Sequence, residues 1–290
     1  MPSLREFDER LASMASMRRV TCTMKLVAGS HLHRTQNQLE KPEAFARALI
    51  EISPVLSLPR FAKHRLVLPP PEKDSRILVV VLSGDRGLCG GFNNAIIHAV
   101  RDFKAAHADR AAKMDALYVG LKAYAALKGI LPAACHPFKI ASTPTVADSD
   151  KVAKFIIRAF HWKMYDEVWL ISNRFVNSMT NVCKTERLLP DARPTIPKVD
   201  ATPMPKPRLL EPTDARLLET VAALWLQLTL YYAMLHSATG ELAARVLAMD
   251  NATMNLDAME KDLKIRRNRA RQAAITNELT EIVSGADALN

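Results

Sequence analysis

Apolar residues near the start of the chain recur with the spacing of a helix. They are three or four residues apart, a period that favours a helix and excludes a strand. These residues are Leu4, Phe7, Leu11, Met14, Met17, Val20, Met24 and Val27. Ser3 followed by Glu6 fits a capping box at the beginning. Pro54 and Pro59 are firm stop signals, and Pro42 predicts a kink or a break within the pattern.

The last part of the chain carries a longer pattern. One apolar series recurs every seven residues, at Val221, Leu228, Leu235, Leu242, Met249, Leu256 and Leu263. A second series is interleaved with it, at Leu217, Leu224, Tyr231, Ala238, Ala252 and Met259. Two such series indicate a helix with a continuous seam, as in a coiled coil.

A helix from Thr213 to Ser284 would be roughly 100 Å long at 1.5 Å per residue. Because such a helix cannot bury its own seam, it needs a partner, and the N-terminal helix is available. We therefore predict an antiparallel pair, although periodicity alone leaves an ordinary helical bundle open.

Between Arg76 and Leu189 the pattern changes to alternating strands and helices. Buried strands are predicted at 76–83, 116–120 and 167–172, an edge strand at 179–189, and helices at 93–106, 121–128 and 148–161. This alternation favours a mostly parallel, Rossmann-like sheet. The predicted fold class is therefore mixed: a long antiparallel coiled coil of the terminal helices plus a central Rossmann-like α/β domain.

The domain boundaries follow from these patterns and from the proline distribution. Residues 190–212 hold seven prolines, which excludes a helix or a central strand there. We expect an N-terminal coiled-coil helix in 1–60, a linker in 61–75, the α/β domain in 76–189, a proline-rich linker in 190–212 and the C-terminal helix in 213–290.

Composition narrows the class of protein. No run of about 18 uncharged apolar residues is present, so no transmembrane span is expected. The first residues resemble neither a signal peptide nor a transit peptide. Four cysteines without CxxC spacing indicate reduced thiols. The net charge of +10 suits nucleic acid, an anionic membrane surface or an acidic protein as partner.

A glycine-rich segment, GDRGLCGG, follows the first predicted strand and precedes a helix. Such a turn can bind phosphate through backbone N–H groups, which would make the chain a nucleotide-using enzyme. The segment lacks the Gly-Lys-Ser/Thr ending of a P-loop and the G-x-G-x-x-G spacing. We therefore predict a structural turn, formed by Gly84, Asp85, Arg86, Gly87, Gly90 and Gly91, and no cofactor site.

Other candidate sites are weaker. His31 and His33 are two residues apart on a helix and so point to different faces, which disfavours a metal site. Cys89 has no assigned base, so no nucleophile is expected. The basic run Lys264–Gln272 is compatible with nucleic-acid binding, but apolar seam residues continue on both sides of it. An acidic protein collar suits it better.

Three segments resemble the gamma subunit of F-type ATP synthases. They are MKLVAGSHLHRTQ (24–36), SGDRGLCGGFN (83–93) and NRARQAAITNELTEIVSGADAL (268–289), and they occur in the family's order and at its spacing. The resemblance implies a non-catalytic rotor shaft that couples ion flow to the conformational cycling of catalytic subunits.

The resemblance also implies partners and a location. The coiled coil would lie inside a ring of alternating catalytic and non-catalytic subunits, beside an epsilon/delta-type stalk subunit. The α/β domain would stand on the membrane rotor ring, with no nucleic-acid partner and no direct membrane insertion. A peripheral location is implied, on the cytoplasmic side of a bacterial inner membrane or on the matrix side of a mitochondrial one.

Several residues match the family's contact positions. Met24 and Lys25 match positions that face an acidic segment of a catalytic subunit. The matching contacts on the C-terminal helix are Arg245, Arg271, Gln272 and Thr276. The sequence departs from the family pattern at His31, His33, Gly240 and Arg267, and Gly240 replaces the usual serine before Glu241.

Overall fold

The computed structural model describes residues 4–40, 65–66, 75–139, 141–190 and 214–287. The predicted cap at Ser3 and the kink at Pro42 lie outside these residues, as do the two linkers apart from 65–66, 75 and 190. Contacts divide the chain into two compact units. We call Met1–Ala28 with Val246–Asn290 the coil unit, and Gly29–Arg245 the α/β unit.

The described elements confirm the predicted fold class of two long terminal helices around a mixed sheet. In chain order they are helix α1 (Leu4–Glu40), strand β1 (Ile77–Leu82), helix α2 (Phe92–Ala106), a 3-10 helix (Ala108–Lys113), strand β2 (Met114–Val119), helix α3 (Leu121–Leu127), helix α4 (Val146–His161), strands β3 (Glu167–Asn177) and β4 (Thr180–Leu189), and helix α5 (Asp214–Asp287).

The sheet has the strand order β2-β1-β3-β4. Strand β1 pairs in parallel with both neighbours, so that Val80 lies opposite Leu117 and Leu170. Strand β4 pairs antiparallel with β3 and forms one edge, as the sequence predicts. All six residues of β1 are buried, as expected for a central strand covered on both faces.

Two hydrophobic layers cover the sheet. On one face Ile96 and Val100 of α2 and Leu127 of α3 pack against the strands. On the other face, Ile156 of α4 packs beside Leu230 of α5. The first part of α5 therefore belongs to the core of the α/β unit, whereas the predicted boundary assigned everything after residue 212 to the coiled coil.

The seven-residue series on α5 marks a buried seam, as predicted. Its buried members are Val221, Leu228, Leu235, Leu242, Met249 and Leu263, and Leu256 is partly buried. The interleaved series is less consistently buried, because Met259 is half exposed.

On α1 the apolar series predicts the helix correctly, but from Met17 onward it does not coincide with the buried face. Met17, Val20 and Val27 are half exposed, while Thr21 is partly buried and Ala28 is buried. A coiled coil keeps a strict seven-residue repeat, whereas the predicted series has three successive gaps of three residues before Val20. Those short gaps lead off the seam, which passes to polar residues instead.

Candidate functional site

Side chains on both sides fix the glycine-rich turn between β1 and α2. The Gly84 N–H donates to Asn93 Oδ1 at 2.9 Å, and the Asn93 amide nitrogen donates to the Arg86 carbonyl at 3.3 Å. Asp85 Oδ1 accepts the N–H of Leu121, the first residue of α3, at 3.0 Å.

Within this turn Leu88 and Gly90 have φ values of 61° and 56°. Cys89 between them is buried, and its burial raises the pKa of the thiol. A thiol with a raised pKa is less ionised at neutral pH and therefore a poorer nucleophile. The arrangement is that of a closed structural turn.

Two side chains of α5 lie on the turn. A Cβ added to Gly84 would lie 2.8 Å from the carboxyl carbon of Glu241. Arg245 forms an ion pair with the same carboxylate and donates to the Gly87 carbonyl at 3.3 Å. The side chains of Arg245 and Glu241 are only 14% and 18% exposed.

Open α/β sheets bind ligands at the carboxyl ends of strands, where the strand order reverses. With β2 and β3 on opposite sides of β1, that crevice lies at the end of β1, beside Gly84. The protein's own Glu241 and Arg245 lie there. This favours the structural-turn interpretation over a nucleotide site, and it places Arg245, a predicted partner contact, against the chain's own turn.

Four polar pairs join α1 and α5 within the coil unit. They are Lys25–Asp250 (2.5 Å), Thr21–Thr253 (2.9 Å), Arg18–Asp257 (2.5 Å) and the ion pair Arg267–Asp8 (2.7 Å). In each pair the two residue numbers add up to about 275, the behaviour of an antiparallel coiled coil in a single register. The predicted antiparallel pairing is thus confirmed.

This register shows how free the two predicted contact residues of α1, Met24 and Lys25, are to bind another subunit. Lys25 is paired with Asp250, so its charge is partly balanced within the coil unit. Met24, its neighbour, is 38% exposed. Of these two predicted contact residues, Met24 offers the less engaged side chain.

The register also defines the free end of α5. Leu4, where the described α1 begins, lies level with Arg271, so residues 272–287 continue beyond it for about 24 Å. The segment carries exposed apolar side chains at Ile275, Leu279, Ile282 and Val283. Gln272 and Thr276 are exposed, with the Thr276 hydroxyl donating to the Gln272 carbonyl at 2.9 Å.

The predicted basic run is partly neutralised along its own helix. Lys264 pairs with Glu260 at 2.6 Å and Arg266 with Asp262 at 2.9 Å. Arg271 is exposed and has no ion-pair partner among the described residues. Its positive charge is therefore available to another molecule.

The sequence does not predict the buried polar cluster around Glu167. Glu167 is 4% exposed and accepts from Ser75 (2.7 Å), Arg110 (2.7 Å) and Trp169 Nε1 (2.8 Å). Burial acts to raise the pKa of Glu167, but these hydrogen bonds and the Arg110 charge outweigh it and lower the pKa. Because Ser75 and Arg110 are far from Glu167 in the sequence, no local motif predicts that they hydrogen-bond to it.

Two further properties of the described residues concern metal binding and membrane insertion. Among the described residues, no cluster of three or more His, Cys, Asp or Glu side chains is arranged to hold a metal ion. In the same part of the chain, no helix combines the length and apolar character needed to span a membrane.

Comparison with known proteins covers the whole chain. Residues 3–289 match the family described as ATP synthase. The ATP synthase gamma chain of Geotalea uraniireducens is 33% identical over 294 residues, covering 100% of this chain and 99% of the relative. That of Chlorobaculum tepidum is 34% identical over 297 residues, with the same coverage.

Solved structures show the same fold at lower identity. One is the central stalk and c-ring of the Tetrahymena thermophila mitochondrial ATP synthase, with 24% identity, a TM-score of 0.63, and 80% of this chain and 99% of that chain covered. The other is from the Euglena gracilis mitochondrial ATP synthase, with 17% identity, a TM-score of 0.68, and 99% and 94% covered.

Proposed function

This chain belongs to the ATP synthase gamma-chain family and is the rotor shaft of such a complex, and we propose that it couples ion flow to the catalytic cycle without a catalytic group of its own. The family match over the whole chain carries this conclusion. Coupling of this kind requires contacts that differ between the states of the catalytic subunits.

We assign the contacts with the catalytic subunits to Arg271 and the free end of α5 that follows it, and to one exposed face of α1. Arg271 and Gln272 offer a guanidinium and an amide, and charge-assisted hydrogen bonds from such groups are comparatively strong. Thr276 lies one turn further on. Met24 on α1 completes the set, whereas Lys25 and Arg245 are already engaged within the chain.

Apolar surface supports the same assignment. Ile275, Leu279, Ile282 and Val283 lie on a helix segment with no partner among the described residues. Burying such side chains inside a surrounding ring is favourable at about 25 cal/mol per Å² of apolar surface. The free end of α5 thus suits an apolar collar that also carries acceptors for Arg271.

The contact assignment is tested by Arg271→Ala and Gln272→Ala together, in the complete ATP synthase. We expect normal assembly but a lower ratio of ATP-driven proton pumping to ATP hydrolysis, because the pair makes state-dependent contacts. Lys264→Ala is the matched control, since that side chain is already paired with Glu260. Unchanged pumping and ATP synthesis in the double variant would refute the assignment.

The remaining partners are proposed from family membership. They are the alternating ring of catalytic and non-catalytic subunits, an epsilon/delta-type stalk subunit, and the membrane rotor ring beneath an α/β foot formed by residues 76–189. Bacterial relatives favour the cytoplasmic side of an inner membrane over the matrix side of a mitochondrial one. Affinity capture of the tagged chain from solubilised membranes, followed by mass spectrometry, should recover these subunits together.

The two alternative functions have clear tests. A nucleotide-using enzyme is disfavoured by the position of Glu241 beside Gly84, and micromolar ATP binding to the isolated chain would revive it. A nucleic-acid-binding protein is disfavoured by the ion pairs of Lys264 and Arg266. It predicts DNA affinity that falls steeply with salt.

A further inference from the structure

Glu241 and Arg245 join α5 to the glycine-rich turn. The two side chains are one helical turn apart and form an ion pair, and Arg245 also reaches the Gly87 carbonyl. We propose that these residues and the backbone at Gly84 and Gly87 form a latch that transmits torque between α5 and the α/β unit. This inference rests on the proposed function as a rotor shaft.

The latch has little free space. The Glu241 carboxylate lies so close to Gly84 that an added Cβ would meet its carboxyl carbon and Oε2 at 2.8 Å. The carboxylate thus occupies the space beside Gly84 where a side chain would stand, so a displacement of α5 toward the turn would press it against the backbone. A side chain at position 84 would therefore displace the Glu241 carboxylate from the turn.

A second contact supports the latch from the edge strand β4. Asn181 of β4 donates from its amide nitrogen to the carbonyl of Gly240 at 3.2 Å. On β3, the buried Asn173 donates to the Phe92 carbonyl at the start of α2, at 3.0 Å. Helix α5 is thus fixed both to the turn and to the edge of the sheet.

The position of the latch along α5 gives it a mechanical role. Arg245 is the last residue of the α/β unit, and α5 continues from Val246 into the coil unit. Torque carried along α5 from Val246 therefore reaches the latch before it reaches the part of the helix that packs in the core of the α/β unit. Glu241 and Arg245 act as positioning residues, since they influence coupling through the turn rather than by touching a catalytic subunit.

The alternative is that Arg245 acts by direct contact with a catalytic subunit, as the family resemblance implies. A double-mutant cycle separates the two roles, because residues that act through one contact have non-additive effects. The variants are Gly84→Ala, Arg245→Gln and the combination, in the complete ATP synthase. The readouts are ATP hydrolysis and the number of protons pumped per ATP hydrolysed.

We expect each single variant to lower the pumping ratio at least about twofold while hydrolysis continues, and the combination to be no worse than the poorer single variant. Multiplicative losses in the combination, or unchanged ratios in the single variants, would overturn the latch. If Gly84→Ala does not assemble, the same cycle with Glu241→Gln in its place decides the question by the same criteria.

A matched pair controls for the loss of any ion pair on α5. Glu260→Gln and Lys264→Gln remove another pair four residues apart, outside the latch, and should leave the ratio unchanged. The wild-type chain separates this inference from the function itself. If the wild-type complex fails to couple, the proposed function fails; if it couples and the cycle is additive, only the latch is wrong.

Discussion

Gly240 in the middle of α5 is expected to be more stabilising than alanine, against the usual preference of helices. In a helix interior, Gly→Ala normally stabilises by about 1 kcal/mol. Here a Cβ would lie 2.6 Å from Asn181 Oδ1 and 3.3 Å from a ring carbon of Phe92. Asn181 would have to move, with loss of its hydrogen bond to the Gly240 carbonyl.

The magnitudes decide the sign. Loss of that hydrogen bond costs about 1 kcal/mol, and crowding in a packed site costs a further 1–3 kcal/mol or so. After the gain in helix propensity, Gly240→Ala should lower the free energy of unfolding by about 1–3 kcal/mol. In an Asn181→Ala background the main obstruction is gone, and the same change should stabilise by up to about 1 kcal/mol.

Urea unfolding of the purified full chain, followed by tryptophan fluorescence, measures this reversal. The chain has three tryptophans, Trp162, Trp169 and Trp225, and all lie in the α/β unit. The signal therefore reports the unit that contains Gly240. If Gly240→Ala stabilises in both backgrounds, or destabilises equally in both, then Asn181 is not the reason for glycine at this position.

Three other predictions concern stability of the same unit. Arg110→Ala should lower the free energy of unfolding by about 3–5 kcal/mol in the same urea assay, because it leaves the buried Glu167 carboxylate without its cation; a loss below about 1 kcal/mol would contradict this. Burial, with the nearby charges of Arg174 and Lys184, lowers the pKa of His236 from 6.5 to about 4. Stability should therefore fall as the pH drops from 6.5 to 4, by up to about 3 kcal/mol, and His236→Gln should flatten this part of the curve. Gly120→Ala should prevent soluble folding, since φ is 108° and the Cβ would lie 2.0 Å from a backbone oxygen, whereas Gly129→Ala, with nothing within 4 Å, should fold normally.

The sequence predicts the elements whose pattern is apolar and local. The seam of α5 is visible because Leu228, Leu235 and Leu242 repeat every seven residues, and strand β1 because it is a continuous run of β-branched and leucine residues. In both cases the residues that bury surface are adjacent in the pattern, so periodicity alone identifies them.

Polar seam positions are invisible to the same reasoning. Thr21 and Lys25 lie in the seam of α1 because Thr253 and Asp250 face them, and those partners are more than 200 positions away. The apolar pattern of the sequence instead points to Met17 and Val20, which are half exposed. The register between two helices that are distant in sequence is set by tertiary contacts, so local helix propensity does not predict it.

In the candidate site, too, the local features are predictable from the sequence, whereas the contacts between distant residues are not. The turn at Gly84 is readable from its glycines and from what it lacks as a P-loop. The occupant of the crevice is not readable, because Glu241 comes from a different part of the chain. The proposed contacts at Arg271, Gln272 and Thr276 come from the family resemblance. The structure adds that Arg271 lies level with Leu4, the first described residue of α1, and that Gln272 and Thr276 lie beyond it.

The most direct test of the rotor-shaft account is to watch the chain turn. In the assembled, surface-fixed catalytic ring, a bead is attached through Met179→Cys on the exposed β3–β4 turn, with Cys22→Ser, Cys135→Ser and Cys183→Ser to remove the other exposed or partly exposed thiols of the chain. If the chain is the rotor shaft, the bead rotates in one direction, needs ATP to do so, and stops when ATP is removed. A bead that stays fixed, or only fluctuates, while the same complexes hydrolyse ATP would contradict the rotor-shaft account.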